Sequence, residues 1–181
     1  TQMEQALRQF ADQGVQWLIL DLRSPAAPGS FDVAAAMLDR IEGRPVGVPD
    51  ADFDLCRLCA QAIETRSADM IRSAEEANLA AAHRGFGYAL NAIQVLSMLG
   101  RLNSAFTIAR AAFLSDGFHV GPTQFTALQG AHGMIPRTAI LFCPACEALR
   151  PDPRFARLCR DMGLEDYWRR VGVAPDFRRA G

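Results

Sequence analysis

The chain contains no lysine: all nineteen basic residues among its 181 are arginines. That absence excludes every mechanism that turns on an ammonium group, including the phosphate-loop NTPase, the lysine Schiff base and the Ser–Lys hydrolase. Net charge is also nearly absent. Twenty acidic residues against nineteen arginines leave −1, which argues against a nucleic-acid-binding domain, whose affinity would come largely from a basic surface. No apolar run reaches the roughly 18 residues of a membrane span, and no charged-then-apolar leader opens the sequence. The expected setting is therefore cytoplasmic, with no membrane partner. Five cysteines, an odd number without a secretion signal, are expected as reduced thiols.

Half of the residues are apolar and 22% are charged, the composition of an ordinary globular chain. A chain of this length buries on the order of 70% of its unfolded surface, enough for a core without metal or disulfide staples. Residues 1–181 are expected to form a single helical domain, a fragment of or module from a larger protein.

Helical spacing dominates. Met3, Ala6, Leu7 and Phe10 predict a first amphipathic helix, and Val33, Ala36, Met37 and Ile41 predict a second. Between them, the eight apolar-rich residues 15–22 fit either a short strand or a buried helical turn. A third helix, capped by Asp50 or Asp52, carries Phe53, Leu55, Cys56, Cys59, Ala62 and Ile63 on one side. A fourth begins near Ser67, carries Met70, Ile71, Ala74 and Ala77, and is interrupted at Gly85 and Gly87. Residues 88–98 and 104–114 form the clearest pair, joined by Leu99-Gly-Arg-Leu-Asn103. So short a turn forces antiparallel packing as a helical hairpin, best defined over 88–114. Residues 117–137, with four glycines and two prolines, predict an irregular loop of the kind that often carries function. Beyond it come a segment over 138–149 interrupted at Pro144, a helix from Pro153, where a missing N–H costs nothing, and a last short helix over 164–171.

The hairpin residues Leu96, Leu99-Gly100-Arg101, Ala105, Ala109 and Ala112 resemble the tetratricopeptide repeat, whose glycine and small residues let two helices approach closely. Ala109 departs from the large aromatic usual there, and Asp116 stands where a proline is common. Leu141-Phe142, Leu149-Arg150, Asp152-Pro153-Arg154-Phe155, Leu158, Gly163-Leu164, Tyr167-Trp168-Arg169 and Pro175-Asp176-Phe177 are similar to the closing segment of bacterial tetratricopeptide proteins, often found behind winged-helix or cyclase-like domains. The two likenesses span roughly residues 78–179. They imply a mainly all-α fold: antiparallel hairpins stacked as a short array, closed by a C-terminal cap over 150–177. In that cap Phe155, Leu158, Leu164, Tyr167 and Trp168 are expected to seal the last apolar face.

Two Cys-x-x-Cys pairs could carry chemistry. Cys56, Cys59, Cys143 and Cys146 could supply a four-thiolate metal site, and Cys143-Pro-Ala-Cys146 has the form of a redox motif. More than eighty residues separate the pairs, and the first sits in a helix where cysteine acts as a small hydrophobe, so structural thiols are expected. His83, His119 and His132 lack metal-pair spacing. Eight arginines from Arg150 to Arg179 face five acids, a local +3 that reads as a solvated surface. The expectation is a non-enzymatic module, without cofactor, that binds a peptide or helix of a protein partner. The first helix of the hairpin would supply Tyr88, Asn91, Gln94 and Val95. The alternatives are a cysteine-dependent metal or redox protein and the sensory half of a DNA-binding regulator.

Overall fold

The computed structural model describes residues 50–121, 138–173 and 175. The helices expected near 1–11 and 32–41, the segment 15–22, loop residues 122–137 with His132, and Phe177 lie outside them. Among the described residues the fold is all-α, and the chain divides into two compact units, Thr1–Ala80 and Ala81–Gly181.

In the first unit, α1 (Asp50–Thr65) buries Phe53, Cys56, Cys59, Ala60, Ala62 and Ile63 on one stripe. It ends where Arg66 takes the left-handed conformation, φ 53°. Helix α2 (Ala68–Ala82) follows. Asn78 on α2 is buried and donates its Nδ2 to the Cys59 sulfur at 3.1 Å and to the Ala74 carbonyl at 2.8 Å. Its amide therefore joins the two helices without an unsatisfied donor.

In the second unit, α3 (Phe86–Met98) and α4 (Leu102–Leu114) form the expected hairpin. The turn tightens to Leu99-Gly100-Arg101, with Gly100 at φ 71°, a conformation that glycine reaches without steric cost. Gly87, expected to interrupt, lies inside α3. Ala89, Ala92, Ala105 and Ala109 are wholly buried, so small side chains let the backbones approach, and Ile93, Leu96 and Ile108 fill the core beside them. Each of those three larger residues contributes about 1.5–3 kcal/mol of burial.

Two 3₁₀ helices, η1 (Thr138–Phe142) and η2 (Pro144–Leu149), close the hairpin against α3. The break expected at Pro144 arises from sterics: the proline ring drives Cys143 to extended backbone, φ −70° and ψ 158°. Arg150 then donates its Nη2 to the carbonyls of Phe142 and Cys143, both at 2.8 Å, so the oxygens flanking the break stay partnered. Helix α5 (Pro153–Asp161) starts with Asp152 as its cap and Pro153 in its first turn, and α6 (Leu164–Val171) follows through Gly163.

The C-terminal seal is narrower than expected. Phe155 and Leu158 are buried, but Leu164 and Trp168 are half-buried and Tyr167 is 51% exposed. Helix α6 has no buried residue. Its attachment runs through Trp168, whose ring meets Phe142 edge-on at 6.0 Å, while Phe142 also meets Phe155 at 5.8 Å.

Candidate functional site

The four residues expected to face a partner divide along α3. Tyr88 and Asn91, in its N-terminal half, are half-buried. Gln94 and Val95 are buried, at 2% and 8% exposure, because this stretch of α3 is packed by both α4 and η2. That packing corrects their assignment as surface contacts. Gln94 donates its Nε2 to the Leu90 carbonyl at 3.0 Å, and its Oε1 accepts from the Cys143 sulfur at 3.7 Å. It is a core residue whose polar groups are met by its own helix and by Cys143. Tyr88 carries the Arg84 guanidinium 4.2 Å over its ring, and its hydroxyl accepts from Arg84 Nη2 at 2.9 Å.

The open end of the hairpin holds a concavity that residue spacing alone did not locate. Phe86 from α3, Ala111 and Ala112 from α4, and Phe118, His119 and Val120 from the following chain line a groove of about 330 Å³. Small residues of the hairpin and the start of the expected loop share its lining. Helix α4 ends with Ser115 in the left-handed conformation, φ 55°. The chain then turns back. Phe118 packs against His83 at a 42° tilt with ring centroids 4.2 Å apart, and the Gly121 N–H donates to the His83 carbonyl at 3.1 Å. A Cβ at Gly121 would stand 3.0 Å from the backbone oxygens of both His83 and Arg84. Those atoms cannot swing aside as a side-chain tip can, so the close approach requires glycine. Phe86 is fixed edge-on against Phe113 at 5.8 Å. Glycine and aromatic residues at 117–121 were the available sequence signal, but nothing in their spacing says that they fold onto His83.

Charged groups hold the lower part of α4. Arg110 donates to Asp116 at 2.8 Å and to Asp161 at 3.1 Å. These bonds, that of Asp116 foremost, hold its guanidinium further into the protonated state. Arg154 forks onto Asp152, with Nε to Oδ1 at 2.9 Å and Nη2 to Oδ2 at 2.7 Å. That fork pulls the Asp152 carboxyl below the usual carboxylate range. The Arg110–Asp161 pair ties α4 to the end of α5, whereas the Arg154–Asp152 pair lies within the α5 cap.

All five cysteines are thiols; Cys56, Cys59, Cys146 and Cys159 are buried, and Cys143 is partly exposed. Burial pushes the Cys59 thiol up to about 11, against the smaller opposing effect of its bond from Asn78. Among the described residues no group of three or more His, Cys, Asp or Glu side chains converges as a metal-binding set. Also among the described residues, no helix is long and apolar enough to cross a membrane. No family model, curated protein or solved structure matches the chain.

Proposed function

We propose that the Ala81–Gly181 unit is a non-catalytic helical interaction module of the tetratricopeptide kind, which binds a short peptide or helix of a partner protein. The observation that carries this reading is the groove at the hairpin's open end. It gathers the apolar side chains of Phe86, Phe118 and Val120 with Ala111 and Ala112 among a lining that also exposes polar groups, and Gly121 is held by its bond to the His83 carbonyl. Concavities that combine apolar side chains with convergent polar groups can orient a short peptide. Half-buried Tyr88 and Asn91 on α3 remain candidate partner contacts outside the groove lining. One or two apolar side chains of the partner would enter the groove, and its polar groups would meet the 117–121 backbone and His119.

A peptide library displayed on phage, selected against the full chain, tests this reading when paired with Ala112→Gln. Ala112 is half-buried in the groove, and glutamine keeps helix propensity while filling the space. Enriched peptides should lose at least tenfold in affinity for the variant, with its melting temperature unchanged. Peptides that bind both proteins equally, or no enrichment at all, would contradict the assignment.

A further inference from the structure

Cys143 and Cys146 are unlike the other three cysteines, because they combine one accessible thiol with one sealed thiol inside a single turn. Cys143 is partly exposed and Cys146 is fully buried. The Cys146 N–H donates to the Cys143 carbonyl at 3.0 Å. An i to i+3 turn of this kind holds its end Cα atoms within about 7 Å, and disulfides bridge roughly 4.4–6.8 Å. Pro144 fixes the first of the two intervening residues, and Arg150 holds the carbonyls on either side of the break. The turn is therefore built before any bond forms. By contrast, Cys56, Cys59 and Cys159 are each no more than 6% exposed.

We propose that Cys143 and Cys146 form a reversible dithiol–disulfide site that exchanges with a low-molecular-weight disulfide of the glutathione class. The Cys143 thiol releases its proton to solvent, and its thiolate attacks one sulfur of glutathione disulfide. That S–S bond breaks, one glutathione leaves as thiolate, and a mixed disulfide remains on Cys143. The Cys146 thiol attacks the Cys143 sulfur and passes its proton to the departing glutathione sulfur. The protein disulfide forms as the second glutathione departs as a thiol. The first glutathione thiolate takes up the proton that Cys143 released, so the protein dithiol is oxidised by two electrons and glutathione disulfide is reduced to two glutathiones. The second step needs no access from solvent, which suits a buried Cys146.

Oxidation also reaches α3. In the dithiol the Cys143 S–H donates to Gln94 Oε1 at 3.7 Å. A disulfide sulfur carries no proton, so the buried Gln94 carbonyl loses that donor. The state of the pair is thereby felt inside the hairpin that carries the proposed groove, although the exchange chemistry itself is independent of that groove.

The test is a redox titration of the full chain in glutathione buffers, quenched with acid, alkylated after unfolding and read by mass. Cys143 and Cys146 should lose alkylation together in one two-electron step, with Cys56, Cys59 and Cys159 still alkylated and the Gln94 side-chain amide shifted in NMR spectra. Cys146→Ala should arrest with one glutathione on Cys143, and Cys143→Ser, which cannot form the disulfide, should keep its buried Cys146 alkylated. Wild-type protein that keeps glutathione on Cys143, or retains both thiols in excess glutathione disulfide, would overturn the proposal. Loss of Cys146 alkylation in Cys143→Ser at the wild-type rate would overturn it too, and the wild-type result decides even if a variant fails to fold.

Discussion

The guanidinium of Arg154 lies 4.4 Å over the ring of Phe106 and also reaches the Asn103 Oδ1 at 2.7 Å. One side chain from α5 thus touches α4 twice while holding the Asp152 cap. Lysine at this position would lose both the planar stack and the two-pronged contact with Asp152. Arg154→Lys should cost about 1 kcal/mol, because the pair is partly solvated and screened. Denaturant titration checks this, and equal midpoints for the two proteins would remove the assigned link.

Ala105 tests the close approach of the hairpin. Its side chain is wholly buried where α3 and α4 meet. Phenylalanine there forces the helices apart, and Ala105→Phe should cost about 1–3 kcal/mol or more. A thermal melt checks it, and an unchanged melting temperature would mean that the helices do not meet there.

Cys59 gives a pH dependence. Its thiol stands at about 11 in the folded protein against an ordinary 9.0. The unfolded chain therefore releases this proton first. Stability from Cys59 is complete below pH 9 and is lost as the pH rises toward 11, a change of roughly 2–3 kcal/mol at most. Urea midpoints measured from pH 8 to 10.5 should fall, and Cys59→Ala should flatten that part of the fall. A midpoint independent of pH over this window would contradict the buried position.

Trp168 and Tyr167 separate anchoring from exposure on α6. The half-buried Trp168 meets Phe142, so Trp168→Ala should cost about 1–2 kcal/mol, less than the 3–5 kcal/mol of a fully buried ring. Tyr167→Ala should stay within about 0.5 kcal/mol. Paired denaturant midpoints measure both, and equal losses would contradict the narrower seal.

The hairpin was legible because two apolar stripes flank a glycine-containing turn too short for any other connection. The break at Pro144 was legible too, since a proline constrains the residue before it. The 3₁₀ form of residues 138–149 was not, because helical periodicity over five or six residues does not distinguish the two helix types. Gln94 misled for a different reason. Its polar side chain reads as surface, yet it bonds the Leu90 carbonyl within its own helix and η2 then covers it. Tyr167 misled in reverse: an aromatic beside tryptophan reads as core, but a helix of eight residues attached along one edge leaves it in solvent. The groove depends on Gly121 meeting His83 across 38 residues, by subtraction of their numbers, a contact that no local pattern encodes.

Titrating isotope-labelled full chain with a peptide selected from the displayed library, and mapping backbone and side-chain NMR shifts, locates the bound peptide. Saturable changes are expected at Phe86, Ala112, Phe118 and Val120, with smaller changes at Tyr88 and Asn91 and none at the buried Val95. Shifts confined to α6, or saturation without any change at Ala112 and Phe118, would contradict the proposed groove.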